Sequence, residues 1–157
     1  MASTAMFAEI AALAGDPARK PVTVGPRDAA LRAARTCYDH LAGRLGVALT
    51  DAMVASGHVE LAADGGVVTA GGIDLLRRLG IAGSIAHPPK PTGRVLCRPC
   101  LDWSERRPHL AGAIGAALCA HCLASGWIRR IEGSRAVTIT PKGQRGFRDH
   151  FGVEFGS

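Results

Sequence analysis

The chain spells one pattern twice. CYDHLAGRLG at 37–46 and CLDWSERRPHLAGAIG at 100–115 share Cys-x-Asp, then His-Leu-Ala-Gly, then a further Gly three residues on. The match continues: Ala48-Leu49 answers Ala117-Leu118, and Ala55-Ser56-Gly57 answers Ala124-Ser125-Gly126. Further along, Val68-Thr69-Ala70-Gly71 answers Ile139-Thr140-Pro141-Lys142-Gly143. A repeat of this kind restricts architecture before it restricts chemistry, because each copy is one small structural unit that buries its apolar side against a neighbour.

Periodicity within the copies predicts their elements. Leu41, Leu45, Leu49 and Met53 recur every four residues, as do Leu110, Ile114, Leu118 and Cys122, which is the stripe of a helix with one buried face. Gly57 and Gly126 stand where helix caps are expected. After each come two short runs with strand character around a turn: His58–Leu61 and Val67–Thr69 about Asp64-Gly65-Gly66, then Trp127–Arg130 and Ala136–Thr140 about Glu132-Gly133-Ser134. A second helix closes each copy, with Ile73, Leu76 and Leu79 inward in the first and Phe147 and Phe151 in the second. Helix, hairpin, helix is the order of a winged-helix unit. The expected fold is α+β and mainly helical: two winged-helix-like repeats about a pseudo-two-fold, plus an N-terminal docking helix.

The remaining segments divide as follows. Residues 1–19 hold a short helix with Met6, Phe7, Ile10 and Leu13 on one face, ended by Gly15-Asp16-Pro17. Residues 20–36 form an extended linker and a helix that opens at Asp28 and runs toward Cys37 and His40. The first repeat covers 37–82, a Pro/Gly-rich connector covers 83–93, and the second repeat covers 94–157.

Composition narrows the function classes. At 157 residues and 47% hydrophobic content the chain can build a core, and with aromatics at 4% that core is aliphatic. No apolar run is long enough to span a membrane, and the N-terminus lacks the basic region of a secretory signal, so a cytoplasmic protein is expected. In a reducing compartment Cys37, Cys97, Cys100, Cys119 and Cys122 are core residues, metal ligands or redox thiols rather than a disulfide framework. The net charge is +6, and from Arg94 to Arg148 there are ten Lys or Arg against three acids, so the excess sits in the second half. Such a field suits a polyanionic partner or simple solubility.

ARTCYDHLAGRLGVAL, RPCLDWSERRPHLAGAIGAAL and the GWIRR and SRAVTITPKG strings resemble the C-terminal half of a subgroup of ArsR-type (arsenic-repressor family) winged-helix transcription regulators. FAEIAALAGDPAR is similar to the first helix of that family, which helps to form its dimer. The resemblance covers nearly the whole chain and implies a transcription regulator that is a homodimer, acts on DNA and responds to a metal or small effector. One departure stands out. In the family roughly seventy to eighty residues of helix-turn-helix and wing separate these blocks. Here Arg19 is followed directly by Lys20, so the DNA-reading helix-turn-helix is expected to be absent and the effector and dimerisation half to remain.

Three groups of residues could carry chemistry. Cys97 and Cys100 with Cys119 and Cys122 have zinc-like spacing. The repeat weighs against them, because Cys122 falls at the inward position of Met53 while Cys119 answers the polar Thr50. Cys37 and His40 with Cys100 and His109 are the repeated set, which a pseudo-two-fold would bring together as a site for zinc or another thiophilic metal. The competing reading makes these buried packing residues copied along with the fold. Last, Arg129, Arg130, Arg135, Lys142 and Arg145 lie on or beside the second wing, where they meet DNA phosphates or form a solvated face. Neither Ser104-Glu105 near His109 nor Cys37 near His40 comes with an orienting third residue or an oxyanion motif, so no enzymatic activity is expected.

Overall fold

A computed structural model describes residues 28–81 and 97–155. The expected N-terminal helix, the junction of Arg19 and Lys20 with the extended linker that follows it, and the Pro/Gly connector over 83–93 lie outside the described residues. The described residues form an α+β structure with five helices and four two-stranded antiparallel hairpins. None of these helices is long and apolar enough to cross a membrane.

The first half runs α1 (Ala29–Ala33), β1 (Arg35–Cys37), β2 (His40–Ala42), α2 (Gly43–Ala55), β3 (Val59–Ala62), β4 (Gly65–Val68) and α3 (Ala70–Leu79). The second runs β5 (Arg98–Leu101), β6 (Pro108–Ala111), α4 (Gly112–Ala124), β7 (Ile128–Arg130), β8 (Val137–Ile139) and α5 (Pro141–Phe151). The helix–hairpin–helix order expected from periodicity is therefore present in each half, and each is preceded by a further hairpin that periodicity did not reveal.

That extra hairpin corrects the expected helix from Asp28 toward Cys37 and His40. Asp28 does cap α1 by accepting from the Ala30 amide, but the helix stops at Ala33. The chain then turns extended because its backbone finds partners elsewhere. The Thr36 amide donates to the Arg135 carbonyl at 2.9 Å, and the Val137 amide donates to the Ala34 carbonyl at 3.1 Å. Long-range pairing thus outweighs local helix preference over 35–42. A comparable bridge joins Gly66 on β4 to Cys97, just before β5. A single backbone bridge thus ties the start of each half to the later hairpin of the other.

Helices α3 and α5 start and stop by the same chemistry. Thr69 and Thr140 accept from the amides of Gly72 and Gly143, Pro141 occupies the first turn of α5, and Gly80 and Gly152 take the left-handed conformation past the ends. The core is one cluster drawn from both halves, centred on Leu45, Met53, Leu76, Ile114, Ile128 and Phe147. Helix α2 lies against β6 and helix α4 against β2, so each repeated helix packs on the other half's extra hairpin. Gly46 and Gly115 make this possible. A Cβ at either would run into the carbonyl of Leu41 or Leu110, and the same space is bounded by His109 beside Gly46 and by His40 beside Gly115.

Candidate metal centre

The repeated Cys and His are cross-strand partners. In the first hairpin Cys37 pairs with His40 across a two-residue turn in which Tyr38 takes φ 61. In the second Cys100 pairs with His109, and the longer segment between Leu101 and Pro108 is taken up by the turn. Unequal loops therefore yield the same Cys-opposite-His arrangement on both hairpins.

Packing of β2 beside β6 brings the two pairs together. One ligand atom from each of Cys37, His40, Cys100 and His109 lies within 4.8 Å of all the others. That spacing suits a tetrahedral ion, whose bonds of about 2.0–2.3 Å separate its ligand atoms by roughly 3.3–3.8 Å. Both His are buried and both Cys partly so.

Hydrogen bonding fixes how the imidazoles face each other. His40 Nδ1 is 3.1 Å from Asp39 and His109 Nδ1 is 2.9 Å from Asp102. An ionised carboxylate only accepts, so each Nδ1 carries a proton and donates. In its neutral form each ring then presents a bare Nε2 lone pair, and the two Nε2 atoms are 3.0 Å apart. Two lone pairs at that distance repel unless a cation lies between them. Burial lowers the His40 pKa despite the Asp39 hydrogen bond, which favours the neutral imidazole that a metal ion requires. A metal ion satisfies both nitrogens, and a carboxylate behind each ligating imidazole is the usual support for one.

Asp102 is the most heavily bonded group at the site. It accepts from the Gly43 amide at 2.7 Å, the Glu105 and Ser104 amides, the Ser104 hydroxyl, His109 and the Arg35 guanidinium. Burial alone would raise its pKa, but the hydrogen bonds from His109, Glu105 and Gly43, aided by the charge of Arg35, hold it well below the usual carboxylate range. Gly43 and Arg35 come from the first half, so this carboxylate joins the halves as well as supporting His109. Arg35 escaped the sequence reading: nothing in ARTCYDH relates it to a residue 67 positions on.

The four-Cys alternative does not assemble among the described residues, where the Cys37, His40, Cys100 and His109 set is the one group with metal-site geometry. Cys97 is buried near Gly66, while Cys119 and Cys122 are buried along α4. The contrast expected between an inward Cys122 and an outward Cys119 is also corrected. The matching Thr50 is itself interior, donating to the Gly46 carbonyl, so both positions face the core. Burial raises both thiol pKa values, that of Cys122 to about 12.

Arg129, Arg130, Arg135, Lys142 and Arg145 are all exposed, on β7, on the turn after it and on the start of α5. None of the five forms a salt bridge among the described residues. Trp103 is half exposed, whereas Trp127 is buried edge-on to Phe147.

No family model matches the chain, and no solved structure matches it. Over 124 residues it is 40% identical to YdfF of Bacillus subtilis (strain 168), named as an uncharacterized HTH-type transcriptional regulator. The match covers 79% of this chain and 54% of the relative, so the chain spans about half the length of the curated relative it resembles.

Proposed function

We propose that the chain is the effector-responsive and dimerising portion of an ArsR-type transcription regulator, and that Cys37, His40, Cys100 and His109 hold zinc or a similar thiophilic divalent ion. The relative's name supports a regulator rather than an enzyme. The facing Nε2 atoms, each backed by a carboxylate on Nδ1, carry the metal reading. In this reading 37–82 and 94–157 are two equivalent units about a pseudo-two-fold. The ion sits at their junction with one Cys and one His from each. Metal occupancy then biases how the units sit and hence how a homodimer engages DNA, with Arg129, Arg130, Arg135, Lys142 and Arg145 as phosphate contacts. Such a protein works in the cytoplasm.

The second reading is a structural zinc module without DNA binding. It is favoured by the origin of the ligands, since an ion bound by both halves staples them together and its binding energy becomes folding energy. Elemental analysis of purified Cys100→Ser and Cys119→Ser tests the metal site: metal is lost from the first and kept by the second. Loss only with Cys119→Ser would contradict the assignment. A mobility-shift assay at low salt, with and without zinc, separates the two readings. A metal-dependent shift supports the regulator, and no binding to any DNA supports the structural module.

A further inference from the structure

The five cysteines are not equivalent. Cys97, Cys119 and Cys122 are buried, and each is surrounded by packed side chains. Cys37 and Cys100 are partly exposed, and their sulfurs share one small site although 63 residues separate them in sequence. They also stand on neighbouring hairpins, β1–β2 and β5–β6, which come from different halves of the chain. Thiols that are accessible and adjacent are the ones that oxidants convert to a disulfide, while buried ones stay inert.

We propose that Cys37 and Cys100 form a reversible oxidation site, at which a hydroperoxide converts the two thiolates into a Cys37–Cys100 disulfide and releases the ion. The release half of this statement rests on the metal reading above, whereas the disulfide itself needs only the two sulfurs. In the first step one thiolate sulfur attacks a peroxide oxygen. The O–O bond breaks, the sulfur becomes a sulfenic acid, and the departing hydroxide or alkoxide takes up a proton. In the second the other thiolate attacks the sulfenic sulfur, the S–O bond breaks, and the hydroxide leaves as water. With hydrogen peroxide the sum is two thiolates, one peroxide and two protons to one disulfide and two waters. Sulfurs bound to each other no longer offer thiolate charge, so two of the four ligands are lost at once. His40 and His109 alone make a weak site. A thiol reductant returns the pair to its metal-binding form, which gives the same centre a second input besides metal supply.

The test uses the full chain, loaded with zinc and separately stripped of it, treated with hydrogen peroxide and then alkylated under denaturing conditions. Peptide mapping reads the linkage, and a chromogenic chelator reads released zinc. The expected result is a Cys37–Cys100 linked peptide, zinc released in step with it, and reversal of both by dithiothreitol. The linked peptide falls to background in Cys100→Ser and in Cys37→Ser, and stays at the parent level in Cys119→Ser. Mapping of the parent chain does not depend on the variants folding. If zinc binds but peroxide links other cysteines, links none, or leaves zinc in place, the proposal is overturned while the metal reading stands. If zinc never binds yet the Cys37–Cys100 peptide forms, the metal reading falls and the oxidation site is supported.

Discussion

The Arg35 guanidinium lies 3.2 Å from the Asp102 carboxylate, and both side chains are shut off from water. Arg35 also donates to the Leu31 carbonyl of α1 and to the Ser104 hydroxyl, while Asp102 holds the Nδ1 proton of His109. A single buried pair thus connects α1, the junction of the halves and an imidazole of the candidate metal site. Removing one partner leaves the other charged and unpaired, which typically costs about 3–5 kcal/mol. Arg35→Met and Asp102→Asn are each expected to lose stability on that scale in urea unfolding, and the double variant to lose less than their sum. Additive losses would contradict the coupling.

Asp102→Asn also changes metal binding. The amide no longer demands a proton on His109 Nδ1, so the tautomer that presents Nε2 is no longer enforced. A drop of about 10–100-fold in zinc affinity is expected, as for other groups that orient a ligating His. Competition with a chelator of known affinity measures it, and unchanged affinity in a folded Asp102→Asn would show that the carboxylate does not orient the ligand.

Acid should destabilise the metal-free chain in two stages. The His40 pKa is lowered in the folded state, so the unfolded chain binds that proton first; its contribution is full above pH 6.5 and is lost as pH falls through the folded value. Asp102 is depressed from 3.8, so its contribution is full above that value and erodes below it. Unfolding free energy measured from pH 8 to pH 3 in the presence of chelator is expected to hold down to about pH 6.5 and to fall below it, and Asp102→Asn to flatten the more acidic part. A parent chain that gained stability on acidification would refute the sign.

Gly46→Ala and Gly115→Ala reverse an ordinary trend. Alanine in a helix normally gains about 1 kcal/mol over glycine. At these positions the new methyl group meets the backbone carbonyl of Leu41 or Leu110, which cannot swing aside. Net losses of about 1–3 kcal/mol are expected, typical of overpacking. Gly71→Ala on α3, whose nearest neighbours are at ordinary contact distance, is the control and should be neutral or stabilising in the same thermal melts.

If the chain contacts DNA as proposed, charge removal on β7 and at the start of α5 acts uniformly across DNA sequences. If Arg129, Arg130 and Lys142 meet phosphates, each change to Ala weakens binding and reduces the salt slope by about one. Fluorescence anisotropy with duplexes of unrelated sequence, over a salt series, reads both quantities. An unchanged slope assigns these residues to a solvated face.

Elements with a regular local signature were legible in the chain. The four-residue stripes foretold the helices now seen at Gly43–Ala55 and Gly112–Ala124, and the turn residues marked the hairpins that follow them. The hairpins over 35–42 and 98–111 left no such mark. Their strands are three or four residues long, too short for alternation to register, and β1 is stabilised by bonds to residues about a hundred positions away.

The candidate site divides along the same line. The doubled Cys-x-Asp and His-Leu-Ala-Gly strings by themselves determined that Cys37 answers Cys100 and His40 answers His109, because equivalence of copies is a property of spacing. Spacing does not say which equivalent groups touch. Cys100 has Cys97 three residues away, yet it meets Cys37 from the other half, and Asp102 takes its counter-charge from Arg35. Only the tertiary structure decided those partners, since they follow from two hairpins packed side by side through the space that Gly46 and Gly115 leave open.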